Sequence, residues 1–115
     1  MLLVACGVTD SAPVDRSAST LSQGADLYQA NCMVCHGSDL RGTDLGPPFL
    51  SEVYRPNHHA DAAFLLAVQT GSRAHHWNFG DMPPIAGIDA DDIASITAYV
   101  RSVQEAEGFE PYPPP

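Results

Sequence analysis

The chain has 115 residues, which is enough for one domain with short extensions. It carries 5 basic and 14 acidic residues, a formal net charge of −9, and every basic residue is an arginine. This balance argues against binding to nucleic acid and against electrostatic adsorption on anionic lipid, since both need a basic face. It is consistent with a partner protein that has a positive patch, or simply with an acidic solvated surface.

Residues 1–20 are predicted to lie outside the folded domain. The sequence LVAC, which ends at Cys6, resembles the lipobox of bacterial lipoproteins, in which the cysteine is lipidated. The apolar run is too short to span a bilayer and lacks a basic start, so we interpret it as the end of a signal peptide whose upstream half is missing. Residues 7–20 are small, polar and aperiodic, which predicts a flexible tether. The alternatives are an unmodified Cys6 and a disordered N-terminus without an anchoring role.

Helical patterns occupy the predicted folded domain, residues 21–106. They span three segments: residues 22–31, 61–70 and 90–104. The last has an apolar stripe at helical spacing, formed by Ile93, Ile96, Val100 and Val103. No alternating apolar run of strand length is present, so the predicted class is all-α, with three main helices and long loops. Residues 107–115, which end in PYPPP, are predicted to be an extended tail.

Polar residues and a glycine are expected to fix the helix ends. Ser22, Asp61 and Asp89 stand at the starts of the three patterns and are predicted as N-caps. Asp92 follows Asp89 by three residues, in the manner of a capping box. Gly71 is expected to end the second helix in the left-handed conformation.

The strongest chemical signal is the sequence CMVCH, from Cys32 to His36. This C-x-x-C-H spacing is the attachment signature of c-type haem. The two thiols, of Cys32 and Cys35, add across the vinyl groups of one porphyrin, and His36 is then carried beneath the iron as an axial ligand. A thioredoxin-like pair would need a βαβ pattern, a zinc site would need further ligands, and a plain disulfide is the third alternative. We therefore predict one covalent haem c with its iron, a cofactor large enough for the long loops to pack on.

A second axial ligand is expected from far along the chain. Of the three methionines, Met1 lies outside the domain and Met33 is held between the two cysteines, which leaves Met82. The two prolines after Met82 restrict its backbone. The alternatives are Met82 as ordinary core packing, an open iron, or a histidine ligand. Four histidines lie in loops and are otherwise expected to be solvated, although such pairs can bind a surface metal: His58, His59, His75 and His76.

Residues outside the haem motif also resemble a known family. Gly24 and Tyr28 resemble the glycine and the aromatic residue of an N-terminal helix that crosses the last helix closely. Ile96 and Tyr99 resemble the partner pair on that last helix. With the haem motif, these positions make residues 21–104 similar to a class I monohaem cytochrome c. The resemblance implies the small helical fold of that family, wrapped around one covalent haem.

The resemblance also implies roles for residues around the haem. Pro47, in a Gly-Pro pair, matches the proline whose carbonyl accepts a hydrogen bond from the proximal histidine, here His36. Met82 and the prolines after it match the distal methionine loop. Trp77 matches, less closely, the aromatic or polar group that reaches a haem propionate. Two arginines are further candidates for the propionates, or else are solvated surface residues: Arg41 and Arg73.

The function implied by the resemblance is one-electron transfer rather than catalysis, because two filled axial positions leave no room for substrate. The expected location is the periplasm or another extracytoplasmic space, with membrane contact only through a lipid at Cys6. Many family members dock through a ring of lysines, which this chain lacks. Its partner proteins are therefore expected to present a basic or apolar patch. The alternatives are a haem subunit of a larger oxidoreductase, and a haem enzyme or sensor with a labile distal ligand.

Overall fold

The computed structural model describes residues 15–110. Four helices occur in this part of the chain, in the order α1 (Ala18–Asn31), α2 (Met33–His36), α3 (Asp61–Thr70) and α4 (Ala90–Ala106). A 3-10 turn covers Glu52–Tyr54, and within residues 15–110 there is no strand beyond an isolated bridge between Ser72 and Met82. The all-α class is confirmed. None of the described helices has the length and apolarity needed to cross a bilayer.

Helices α1 and α4 cross at a glycine. A Cβ atom built on Gly24 would lie 2.0 Å from the carbonyl oxygen of Ser95 and 3.0 Å from Cβ of Tyr99. Only a residue without a side chain allows this approach. One helical turn along, the fully buried Tyr28 packs its ring 5.5 Å from that of Tyr99. The two helices therefore form a closely packed pair.

The start of α1 differs from the prediction. The helix begins at Ala18, and the hydroxyl of Ser17 accepts a hydrogen bond from the Thr20 N–H, so Ser17 is the N-cap and Ser22 lies within the helix. Asp15 stabilises this start by accepting hydrogen bonds from the Ser17 N–H and the Thr20 hydroxyl. Several small polar residues in succession can each cap a helix, and the apolar spacing did not distinguish between them. The last residues of the predicted tether are therefore helical.

The other helix ends agree only in part with the caps predicted from the sequence. Asp89 caps α4 as predicted, by accepting from the Asp92 N–H. Helix α3 begins at Asp61 after an N-cap, Ala60, that makes no side-chain hydrogen bond. The predicted cap Asp61 is wrong, because its carboxylate accepts from Arg101 instead. Gly71 has the expected positive φ of 80°, but its ψ of 175° is extended rather than left-handed helical.

The C-terminal end of α4 also extends beyond the prediction, to Ala106. The chain then stays bonded to the helix, since the N–H groups of Glu107 and Phe109 donate to carbonyls of its last turn. The first residues of the predicted tail are thus attached to α4. Residues 1–14 and 111–115 lie outside the described part of the chain, and this includes Cys6 and most of the tether and tail.

A buried arginine connects α4 to α3 and to the turn before it. Arg101 is 2% exposed and donates through Nε to Asp61 at 2.8 Å. Its two terminal nitrogens donate to the carbonyl oxygens of Tyr54, at 2.6 Å, and of His59. A further bond reaches Oε1 of the fully buried Gln104 at 2.8 Å. These bonds fix residues 52–61 against α4 and thereby position one wall of the cavity described next.

Candidate cofactor site

A cavity of about 560 Å³ opens between α3, α4 and the loops. Most of its wall is apolar, and its apolar lining includes Phe49, Phe64, Leu66, Ile85, Ile93 and Ile96. All of the predicted site residues in the described part of the chain line it: Cys32, Cys35, His36, Pro47, Trp77 and Met82. A large apolar space with a few polar groups at its edges is typical of a cofactor site.

The CMVCH motif folds as the end of α1 followed by the single turn α2. Cys32 ends α1 by donating its N–H to the Tyr28 carbonyl at 2.8 Å, and the N–H of His36 donates back to the Cys32 carbonyl at 2.9 Å. Both Cys32 and Cys35 are free thiols on the cavity wall. Burial, with a smaller contribution from the charge of Cys35, raises the pKa of the Cys32 thiol to about 11. The side chains of Cys32, Cys35 and His36 all line the cavity.

One ring nitrogen of His36 is hydrogen-bonded to the protein, and the other is free to bind a metal. Its Nδ1 lies 2.9 Å from the carbonyl oxygen of Pro47, which can only accept, so Nδ1 carries the proton. The ring is buried and stacks on Phe49 at a centroid distance of 4.1 Å. Burial lowers the pKa of His36 and the bond to Pro47 opposes this shift. The neutral ring therefore has a free electron pair on Nε2, as a metal ligand requires.

Hydrogen bonds from Thr43 hold the loop that follows the CMVCH motif against the motif. The Thr43 hydroxyl donates to the Cys35 carbonyl at 2.7 Å, and the Thr43 N–H donates to the Gly46 carbonyl at 3.1 Å. A Cβ on Gly46 would lie 2.8 Å from the Cys35 oxygen, so a glycine is needed for this approach. The loop therefore places the Pro47 carbonyl oxygen within hydrogen-bonding distance of His36.

Met82 lines the cavity from a loop that is hydrogen-bonded to the residues just after α3. Its N–H and carbonyl both pair with Ser72, at 2.8 and 3.0 Å. Beside it, the Asp81 carboxylate accepts from the Ala74 N–H at 2.8 Å, and the Ile85 N–H donates to the Val68 carbonyl at 2.8 Å. The position of Met82 is thus fixed by backbone pairing on both sides as well as by the prolines that follow it.

Trp77 lies at the cavity wall against a residue that the sequence did not single out. Its ring stacks on Tyr54 with centroids 5.8 Å apart and planes within 9°. Burial raises the pKa of the Tyr54 hydroxyl to about 12, so this group stays protonated and able to donate. Of the two candidate arginines, Arg73 also lines the cavity, whereas Arg41 pairs with Glu107 at 3.5 Å.

The loop histidines were expected to be solvated, and His58, His75 and His76 are exposed, but the structure also brings the two pairs together. His58 and His59 end the loop before α3, while His75 and His76 belong to the loop after it. The rings of His59 and His76 have centroids 5.5 Å apart. Desolvation lowers the pKa of His76, and the positive charges of the other three histidines lower it further. The two pairs are far apart in the sequence, which is why no motif indicated their contact.

Comparison with known families decides what kind of site this is. The family model for cytochrome c matches residues 21–104. The chain belongs to the cytochrome c family. As a member of it, the chain binds haem c covalently, with its iron. Cytochrome c-551 of Bacillus subtilis (strain 168) is 40% identical over 58 residues, a match that covers 46% of this chain. The chain spans about half the length of this curated relative, 50%.

Three solved cytochromes have the same fold. Cytochrome cL from Methylophaga aminisulfidivorans MPT has a TM-score of 0.59 at 23% identity, and the match covers 86% of this chain and 71% of that one. Cytochrome cL from Hyphomicrobium denitrificans has a TM-score of 0.57 at 20% identity, covering 81% and 60%. The c-type cytochrome XoxG from Methylobacterium extorquens AM1 also has a TM-score of 0.57 at 20% identity, covering 74% and 50%. At such low identity these likenesses establish the class I fold alone.

The residues of this chain fit the haem of the family. The two thiols have the required spacing, Nε2 of His36 is available, and the cavity beside them combines a volume of about 560 Å³ with a mostly apolar wall. Sequence reasoning missed Tyr54, Phe49 and Arg101 in this region. A signal for Arg101 was present: Thr97, Arg101 and Gln104 repeat at helical spacing and form a second buried row on α4.

Proposed function

We propose that this chain is a one-electron carrier in which His36 and Met82 are the two axial ligands of a single haem c attached through Cys32 and Cys35. When bound, the haem supplies an iron that changes between the ferrous and ferric states. The observation that carries the proposal is that His36 and Met82, from distant parts of the chain, line the same apolar cavity. Each belongs to a segment fixed by backbone hydrogen bonds.

The surrounding residues would tune the ligands. The hydrogen bond from Nδ1 of His36 to Pro47 fixes the ring and increases its basicity. A thioether ligand such as that of Met82 raises the reduction potential relative to a second histidine. The apolar wall, including Phe49 and Phe64, excludes water from the site. With both axial positions filled by protein, no site for a substrate remains, which favours a carrier over a haem enzyme or sensor.

Docking would use the apolar rim of the cavity. Leu66 and Phe79 line the cavity and are nevertheless 56% and 39% exposed. Together with the net charge of −9, this rim suits a redox partner with a basic or apolar patch. Bacterial cytochromes c are typically extracytoplasmic, and we place this chain there, held at the membrane by a lipid on Cys6.

Matched substitutions of two methionines test the proposal. We expect ferric wild-type protein to show the weak far-red band assigned to an iron–methionine bond, and ferrous wild-type protein not to bind carbon monoxide. Met82→Leu should abolish the band and permit carbon monoxide binding, because the thioether ligand is gone. Met33→Leu, the same change within the attachment motif, should behave as wild type. Unchanged spectra in Met82→Leu would refute the axial assignment and favour a histidine ligand or an open iron.

A further inference from the structure

Three of the loop histidines form a compact group of nitrogen ligands. One ligand atom from each of His58, His59 and His76 lies within 4.8 Å of the others. A zinc ion bound at about 2.0–2.1 Å from each nitrogen sets neighbouring nitrogens roughly 3.3 Å apart in a tetrahedral site. Small rotations of these rings, two of which are exposed, would close the group around one ion.

We propose that His58, His59 and His76 bind one divalent transition-metal ion of the zinc or copper(II) class. Imidazole nitrogen suits these ions, whereas magnesium and calcium prefer oxygen ligands. Three protein ligands leave a fourth position for water, as in an open zinc site. The net charge of −9 favours the accumulation of a cation at the surface.

The geometry of the site is held by hydrogen bonds that do not depend on an ion. Nδ1 of His59 lies 2.6 Å from the Val53 carbonyl oxygen, so this nitrogen is the donor and Nε2 is free to bind metal. The N–H groups of His58 and His59 both donate to the Arg55 carbonyl at 2.9 Å. The carbonyl of His59 in turn accepts from the buried Arg101. Two of the three ligands thus stand on a turn that is bonded to α4.

The third ligand stands on a different segment, which gives the ion a structural consequence. His76 lies in the loop between α3 and Met82, and the same loop is closed by the pairing of Ser72 with Met82. The ion would therefore join the loops before and after α3 at the rim of the haem cavity, which His59 and His76 both line. His75 is not a member of the group, and its Nδ1 faces the Arg73 carbonyl at 2.8 Å.

A positive ion at this rim would also favour the ferrous over the ferric state of the haem. By reciprocity, the ferrous protein would bind the ion more tightly than the ferric protein. This consequence rests on the proposed electron-carrier function, whereas binding of the ion itself does not.

Zinc titration of the haem-loaded protein tests the site. We expect metal-depleted ferric protein without a histidine tag to bind one Zn²⁺ per chain by calorimetry at a fixed neutral pH. His76→Ala should weaken this binding at least about 100-fold, because it removes a direct ligand. His75→Ala, the same change at the neighbouring residue, should alter it less than about threefold. Absence of zinc uptake, or an equal loss in His75→Ala and His76→Ala, would overturn the assignment.

Two further measurements keep the result independent of folding and of redox function. The visible spectrum of each variant shows whether the haem environment is intact, and His76→Asn replaces His76→Ala if the latter does not fold. A crystal grown with equimolar Zn²⁺ should give an anomalous peak between the three rings, and a peak at other residues would contradict the site. Failure of the Met82 experiment would leave these readouts unaltered, so the two proposals fail separately.

Discussion

Gly24 lies where α1 crosses α4, and the backbone of Ser95 occupies the space that a side chain would need. An alanine in a helix interior ordinarily stabilises it relative to glycine by about 0.5–1 kcal/mol. At this position the sign is reversed, because the added methyl would overlap a carbonyl oxygen rather than a flexible side chain. The helices would have to separate, and the contact between Tyr28 and Tyr99 would loosen with them.

We therefore expect Gly24→Ala to lower the free energy of unfolding of the haem-loaded protein by about 1–3 kcal/mol or more. Gln29→Ala, at an exposed position on the same helix, should change it by less than about 0.5 kcal/mol. Denaturant unfolding followed by far-ultraviolet circular dichroism measures both. An unchanged midpoint for Gly24→Ala would mean that the crossing relaxes without cost.

Site residues could be predicted where the residues that act together lie close to one another in the sequence. The spacing of Cys32, Cys35 and His36 indicates the attachment of haem without any knowledge of the fold. Met82 was reached by elimination and by resemblance, and its role as ligand stays a prediction. Tyr54 could not be found in this way, because its place beside Trp77 depends on how residues 52–61 are folded back.

At the scale of elements, Arg101 joins α3 and the turn before it to α4 through hydrogen bonds. The guanidinium is buried, but its partner Asp61 has a side chain that is 48% exposed. The ion pair is therefore screened by solvent on one side and contributes little by itself. The bond to Oε1 of Gln104 is buried, and leaving this acceptor and the His59 carbonyl without their donor would be costly. The Tyr54 carbonyl accepts a second bond, from Nε2 of Gln104 at 3.1 Å.

Two substitutions separate these contributions. Arg101→Met should destabilise the protein by about 3–5 kcal/mol, because the His59 carbonyl and Oε1 of Gln104 lose this donor together and a buried guanidinium is replaced. Asp61→Asn removes the charge of the exposed partner and should cost no more than about 1 kcal/mol. Urea unfolding of both variants gives the comparison. If Asp61→Asn proves as destabilising as Arg101→Met, the ion pair rather than the carbonyl bonds carries the attachment.

Helix positions were predictable from periodicity, while their ends and partners were not. The apolar stripe of α4 and its cap at Asp89 were evident in the sequence and are confirmed. The start of α1 was misplaced because Ser17 and Ser22 are equally suitable caps by residue type. Arg101 went unnoticed because a charged residue next to an apolar stripe is usually solvated.

For the molecule as a whole, the dominant electrostatic feature is its net charge of −9, and all of its basic residues are arginines. Such a field attracts cationic reaction partners and repels anionic ones over a distance of about 10 Å at moderate salt. The apolar rim around Leu66 and Phe79 would then provide the close contact after the encounter. Overall charge was available from composition, whereas the position of His59, His75 and His76 on the cavity wall required the fold.

Small oxidants of opposite charge test this field directly. We expect the oxidation rate of the ferrous protein by a cationic ruthenium ammine to fall as ionic strength rises, because salt screens the attraction. Oxidation by the anionic ferricyanide ion should accelerate under the same conditions. Stopped-flow measurements at several salt concentrations supply both rates. Parallel salt dependence of the two oxidants would show that the net charge does not govern the encounter.

The contact between Arg16 and Glu105 has a consequence for anything joined to the protein. It brings Arg16, near the start of the described residues, beside the last turn of α4, so the described part of the chain begins close to where its final helix ends. A reporter or second domain fused to either end would compete for the same space.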